Sequence, residues 1–254
     1  MAQLHHMFYH YSELPFSMRA LFAGTFLVLG IGYLFAMLHV YNSHAGRDGQ
    51  PGISIEDLAI AYSGSKDDSR LEAALKGPMS EMLPVDEKLL IGAWVRGGAK
   101  QDIYDSQIAP LIEKRCVICH DGSNPHIANL DAFKHLSSFA ELDTGANIFT
   151  LVRVSHIHLF GMTFIFFIVG WMFSHAFVQP VWLKASVIAA PFGAILLDIA
   201  SWYLTKLNTA FAWIVLASGA VMGACFAYMW VVSMYQIWFP RFSRETEVPR
   251  VSLL

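Results

Sequence analysis

Four long apolar runs divide this chain, and each is long enough to form a membrane-spanning helix. They occupy residues 20–40, 156–177, 181–204 and 209–239. Crossing a bilayer takes about 20 mostly apolar residues in a helix. The third run contains Pro191 and Asp198, but Trp182 and Trp202 near its ends suit interfacial positions. The pattern therefore predicts four transmembrane helices.

The only sizeable polar stretch lies between the first and second runs, at residues 42–150. We expect an all-α membrane protein with three parts. Residues 1–41 form an N-terminal segment and the first transmembrane helix, and residues 42–150 form an external helical domain. Residues 151–254 form three further transmembrane helices, packed with the first as a four-helix bundle, and a short cytoplasmic tail. The first run lacks a small-residue cleavage site, so we interpret it as a retained anchor.

Glycines in the apolar runs predict where these helices pack closely. Gly30 and Gly32 lie in the first run, and Gly219 and Gly223 lie in the fourth. Small residues let helix backbones approach each other in a membrane, and the second pair has the small-xxx-small spacing.

Composition agrees with a membrane protein, and charge predicts an orientation. Hydrophobic residues make up 55% of the chain, charged residues 15%, and the mean hydropathy is +0.45. Basic residues near the ends of the runs favour one side, which predicts cytoplasmic termini and a periplasmic polar domain in a bacterial inner (cytoplasmic) membrane. The favoured side has Arg19, Lys184, Arg241, Arg244 and Arg250, against Arg153 and Lys206 on the other. No nucleotide-binding or nucleic-acid-binding pattern is present.

The polar stretch contains the sequence CVICH at residues 116–120, which combines two cysteines with a histidine. A zinc site usually needs a second pair of ligands, and a thioredoxin-like dithiol needs a βαβ context. Neither is evident in the surrounding sequence. Cys-x-x-Cys-His is the signature of c-type haem attachment. Two thiols on one helical turn can each bind a vinyl group, which leaves the next imidazole beneath the iron. We therefore predict one covalent haem c, held by Cys116 and Cys119 with His120 as the proximal iron ligand.

Residues 68–135 resemble a small class-I-like c-type cytochrome. The segment DIYDSQIAPLIEKRCVICH, residues 102–120, is similar to the first helix of that family. The segment SRLEAALKGPMSEMLPVDEKLLIGAWVRGGA, residues 69–99, is similar to its distal segment and last helix. The order of the two is reversed here. Either the domain is circularly permuted, or the tail of a degenerate first module precedes a second one.

The distal iron ligand stays open at the level of sequence. The resemblance implies Met79, with Met82 as a second candidate, although a methionine is more often a plain core residue. His156 and His158, at the start of the second apolar run, are rivals, and His126 and His135 are further candidates. A distal methionine raises the haem potential, whereas a second histidine generally lowers it.

Ionisable residues in the apolar runs suggest a second site. His39, His156, His158 and Asp198 are all predicted in the outer leaflet or at its surface, where such groups are functional candidates. Three interpretations remain. In the first, these residues are interfacial groups, and Asp198 bonds to a neighbouring helix or to Arg153. In the second, they form a quinol site. In the third, His39 and a histidine of the second run bind a haem b or a metal ion between them.

The favoured function is one-electron transfer by a membrane-bound c-type cytochrome, as a subunit of a respiratory or other electron-transport complex. The alternatives are a quinol-oxidising enzyme that uses His39, His158 and Asp198 as proton acceptors, and a haem-based redox or ligand sensor. Expected partners are other membrane electron-transfer subunits and quinol. A soluble redox partner with a basic face is also expected, because residues 42–150 contain 10 basic and 16 acidic residues.

Overall fold

The computed structural model describes residues 10–65, 67–125 and 127–239, and within these ranges it is helical with no β-strand. This confirms the predicted all-α class. The helices are α1 Phe16–His44, α2 Ile55–Ser63, α3 Arg70–Lys76, α4 Val85–Arg96, α5 Gln101–Ile103, α6 Ala109–Arg115, α7 Phe133–Ser137, α8 Ile148–Phe173, α9 Val181–Thr205 and α10 Ala212–Trp238. A π-helical segment, Tyr104–Ile108, joins α5 to α6.

Four helices are long and apolar enough to cross a membrane: Phe16–His44, Ile148–Phe173, Val181–Thr205 and Thr209–Trp238. The chain is therefore a multi-pass membrane protein, as the apolar runs predicted. The bounds differ most for α8, which begins at Ile148 rather than at residue 156. The Asn147 side chain accepts a hydrogen bond from the Thr150 amide at 3.2 Å and so begins the helix early.

The bounds of α8 change the expected positions of three histidines. His156 and His158 lie in the interior of α8 and not at its first turn. His175 lies in the turn after the helix ends at Phe173, outside the helix in which it was predicted. Apolar content marks the stretch of sequence that suits lipid, whereas the helix itself continues wherever backbone hydrogen bonds are formed.

The chain divides into two compact units. The first consists of Met1–Ala36, Ser155–Ile199 and Ala217–Leu254, and the second of Met37–Val154 and Ala200–Leu216. The second unit thus contains the polar stretch together with the last turns of α1, the end of α9 and the start of α10. The predicted boundaries at residues 41/42 and 150/151 remain a prediction.

In the first unit, α1 packs closely against α10 at Gly30. A Cβ atom at Gly30 would lie 2.6 Å from Nε1 of Trp230. That indole nitrogen donates a hydrogen bond of 2.7 Å to the Phe26 carbonyl. Gly223 is also close to α1, since a Cβ there would lie 3.5 Å from the Tyr33 hydroxyl. The predicted close approach is confirmed for these two glycines, whereas added Cβ atoms at Gly32 and Gly219 would meet nothing within 4 Å.

In the second unit, Lys206 holds three backbone carbonyls from two separate segments. Its ammonium group donates to the carbonyls of Tyr62 at 2.8 Å, Thr144 at 2.9 Å and Ala146 at 2.8 Å. Tyr62 also stacks on Trp202, with ring centroids 5.9 Å apart and planes inclined by 13°. These contacts join the end of α9 to α2 and to the loop before α8. The sequence showed Lys206 only as a marker of orientation.

The core of the second unit forms where α3, α4, the π segment and α6 meet. Trp94 on α4 lies 6.0 Å from the Tyr104 ring, centroid to centroid, and donates a hydrogen bond of 2.9 Å to the Lys100 carbonyl. Glycines end α4, with Gly97 as its C-cap and Gly98 at φ 88°. The buried cluster consists of Leu71, Leu75, Leu83, Ile91, Trp94, Tyr104, Ile108, Ile112, Leu130 and Leu136.

Replacing Gly30 by alanine should destabilise the first unit, because the added methyl group would displace the Trp230 indole and its hydrogen bond. We expect a loss of about 1–3 kcal/mol, the usual cost of overpacking. Thermal unfolding of the detergent-solubilised protein would measure it. Gly32→Ala, on the same helix with open space, is the matched control. Equal effects of the two substitutions would contradict the close contact at Gly30.

Candidate functional site

The CVICH sequence forms one turn that continues directly from α6. The Cys116 amide donates to the Ile112 carbonyl at 2.8 Å, and the Cys119 and His120 amides donate to the Cys116 carbonyl at 3.1 and 2.9 Å. Cys116 is half-buried, Cys119 is exposed, and both are free thiols. The two sulfur-bearing residues and the imidazole thus share one tight turn at the end of a helix.

The His120 ring is oriented by a backbone carbonyl eight residues further along the chain. Its Nδ1 lies 2.6 Å from the Ala128 oxygen, and the His120 carbonyl accepts the Leu130 amide at 2.9 Å. A carbonyl oxygen can only accept, so Nδ1 carries the proton. In the neutral ring, Nε2 is then the nitrogen with a free lone pair, which is the atom that can bind a metal.

The loop that supplies the Ala128 carbonyl is shaped by short polar turns. Asp121 accepts hydrogen bonds from the Ser123 hydroxyl at 2.6 Å and amide at 2.9 Å, and these bonds lower the pKa of Asp121. Gly122 has φ +82°, and a Cβ atom there would lie 2.8 Å from Nδ2 of Asn129. The loop therefore returns to His120 through contacts that need a glycine at this position.

His135, one of the candidate distal ligands, is hydrogen-bonded through one of its two ring nitrogens. Its Nδ1 lies 2.7 Å from an oxygen of Asp131, and this hydrogen bond lowers the pKa of Asp131. His126 lies outside the described residues.

Cys116 packs against the buried cluster and lies near an acidic residue of α4. Arg115 forms a bidentate ion pair with Glu87. Its Nε donates to Oε2 and its Nη2 to Oε1, each at 2.9 Å. Burial raises the pKa of the Cys116 thiol, and the negative charge of Glu87 adds to this effect. Free Cys116 is thus held mainly as a neutral thiol at the edge of an apolar core.

The two candidate methionines differ sharply in environment. Met79 is partly buried and packs against the same apolar cluster as Cys116, and its amide donates to the Ala74 carbonyl at 2.9 Å. Met82 is 62% exposed. Of the two, only Met79 shares a core with the CVICH turn.

Among the ionisable residues of the apolar runs, Asp198 makes a polar contact between two helices. Asp198 on α9 accepts a hydrogen bond of 3.2 Å from the Ser218 hydroxyl on α10, which is the helix-to-helix bond that the sequence left as one interpretation. His156 and His158 are exposed on α8. The rings of His156 and Phe160 pack in a T-shaped arrangement, with centroids 5.4 Å apart. His39 belongs to the second compact unit, whereas His156, His158 and Asp198 belong to the first. Within residues 10–65, 67–125 and 127–239, no three His, Cys, Asp or Glu side chains are grouped to hold a metal ion.

Sequence reasoning missed two groups at this site, the Ala128 carbonyl and the Glu87 carboxylate. The Ala128 oxygen carries no side-chain signal, because every residue offers the same backbone carbonyl. Glu87 lies 28 residues before Arg115, and nothing in the sequence pairs them. Only the tertiary fold brings either group to the turn.

Comparison with known proteins adds one match. A family model described as a transmembrane helical domain matches residues 138–244, which contain α8, α9 and α10. No curated protein and no solved structure matches the chain. The matched residues exclude the CVICH sequence, so this similarity concerns the membrane part.

The two free thiols should react at different rates in protein produced without haem. Cys119 is exposed, whereas Cys116 is half-buried and its pKa is raised, so less of it is in the reactive thiolate form. We expect iodoacetamide to label Cys119 at least about threefold faster than Cys116 near pH 8. Peptide mass spectrometry over time would measure both rates. Equal labelling would contradict the packing of Cys116 against the core.

Proposed function

We propose that this chain is a membrane-anchored monohaem c-type cytochrome that transfers single electrons. The observation that carries the proposal is the CVICH turn, in which two free thiols lie beside an imidazole whose Nδ1 is bonded to the Ala128 carbonyl. This donor set suits covalent haem attachment, with thioether bonds from Cys116 and Cys119 and axial ligation by His120.

A bound haem would supply an iron that changes reversibly between the ferric and ferrous states. The chain's own residues set the conditions for that change. Ala128 fixes the tautomer and plane of the His120 ring, and the apolar cluster beside Cys116 excludes water and so affects the potential.

Met79 is the distal ligand that we propose. The support is its position against the cluster that also contacts Cys116, together with the exposure of Met82. A thioether ligand would raise the potential above that of a bis-histidine haem.

The four candidate spans support a role within a larger assembly, because one span would be enough to anchor a small domain. We propose that the chain is a subunit of an electron-transport complex in a bacterial inner membrane, with its polar domain on the periplasmic side. Other membrane subunits would pack on the helices. The acidic polar stretch would favour a soluble partner with a basic face, in an interaction that weakens as salt rises. Quinol oxidation at His39, His158 and Asp198, and a sensor role, stay predictions.

Cys116→Ala should prevent stable covalent attachment of haem, because it removes a thioether bond. A haem-stained denaturing gel of protein produced with haem-attachment machinery would measure this. We expect most of the stain to be lost, whereas Cys225→Ala, which alters a half-buried thiol on α10, should retain it. Full staining of the Cys116 variant would refute covalent attachment at this sequence.

Met79→Ala should remove the thioether ligand from the iron. We expect loss of the weak long-wavelength charge-transfer band of the ferric form. The midpoint potential should fall by on the order of 0.1 V, since axial ligands tune haem potentials over about 0.8 V. Met82→Ala is the matched control and should change neither property. If His158→Ala alters the spectrum and Met79→Ala does not, the distal ligand is the histidine.

A further inference from the structure

The second unit contains a cleft that the proposed electron-transfer site does not use. It has a volume of about 510 Å³ and lies between α3, α4 and the loop after α1. Ligand-binding clefts commonly have volumes of about 300–1,000 Å³. On α4 the cleft is lined by Val85, Lys88, Leu89, Gly92 and Arg96. Glu87, which binds Arg115 beside the CVICH turn, is not among its lining residues.

The charge of this cleft is opposite to that of its surroundings. Three basic residues line it, Lys76, Lys88 and Arg96, against one acidic residue, Glu72. Residues 42–150 as a whole contain 10 basic and 16 acidic residues. The cleft thus concentrates positive charge within an acidic stretch, which favours an anionic ligand.

The three cations are not equally available. Lys76 pairs with Asp68 at 2.7 Å, and Arg96 pairs with Glu72 at 3.1 Å. Lys88 instead donates to the neutral Ser80 carbonyl at 3.1 Å, and it forms no ion pair with any described residue. Its charge is therefore the one best placed to receive an anion.

The same cleft offers apolar surface beside these charges. Val85 is 68% exposed and Leu89 is 62% exposed, and both line it. Their spacing of four residues places them on one face of α4. Adjacent cationic and apolar surfaces fit a molecule with an anionic head and a hydrocarbon tail.

The position of the cleft in the chain indicates where such a molecule would come from. Its loop wall includes Gly46, two residues after the candidate span α1 ends at His44. The last turns of α1 and the cleft belong to the same compact unit. Phospholipids surround the end of a membrane-spanning helix, and some of them carry an anionic head beside their hydrocarbon tails.

We propose that this cleft binds one anionic phospholipid, whose phosphate meets Lys88 and whose acyl chain lies on Val85 and Leu89. The inference is independent of the haem, because it uses none of the residues of the CVICH turn.

Native mass spectrometry of the full-length protein in detergent would test the proposal, with phosphatidylglycerol as the probe. Lys88→Gln should weaken the tightest binding step by about fivefold, as expected for one lysine near an anionic lipid. Lys134→Gln, an exposed lysine outside the cleft, is the control and should leave it unchanged. Leu89→Gln should also weaken this step.

Three results would overturn the proposal. They are equal effects of Lys88→Gln and Lys134→Gln, binding of phosphatidylcholine as tight as that of phosphatidylglycerol, and full competition by millimolar inorganic phosphate. The last would identify the ligand as a free anion. Unchanged melting temperatures of both lysine variants would show that the comparison reports binding and not unfolding.

Discussion

The hydrocarbon core of a membrane leaves backbone amides and carbonyls without water, so each must find a partner within its own helix. This constraint accounts for the four long helices, and it makes the remaining polar contacts between helices few and specific. In the first unit these include the Trp230 indole on the Phe26 carbonyl and the Ser218 hydroxyl on Asp198. Each satisfies a side chain that lipid would leave without a partner, and each fixes α10 against a neighbouring helix.

The same constraint explains the two lysines near the ends of α9. Lys184 donates to the carbonyls of Ser174 and Ala176, just after α8 ends, and Lys206 donates to three carbonyls of the second unit. A lysine can lay its apolar stem along a helix while its ammonium group reaches polar atoms beyond the membrane core. Here those atoms are carbonyls that helix ends and loops leave available. The lysines therefore organise the connections at each end of the helix.

The candidate site was predictable only where its chemistry is local. The spacing of Cys116, Cys119 and His120 predicts one shared turn, and α6 continues into such a turn. The carbonyl that orients His120 comes from a loop whose path depends on Gly122 and Asn129, and no side-chain pattern announces it. The resemblance ranks Met79 before Met82, but only the structure shows that Met79 packs on the core and that Met82 is exposed. The glycines of α1 also could not be told apart from sequence. A Cβ atom added at Gly30 would contact Trp230, whereas one added at Gly32 would have no neighbour within 4 Å.

The sequence by itself determined the helical class, the four candidate spans and the compact Cys-Cys-His turn, because each follows from residues near one another along the chain. Hydrophobic length and local spacing are properties of a segment. Tertiary structure alone decided that Ala128 orients His120, that Met79 rather than Met82 joins the core of Cys116, and that Lys206 binds three distant carbonyls. These contacts join residues of different segments, and they form only when the path of the chain brings those segments together.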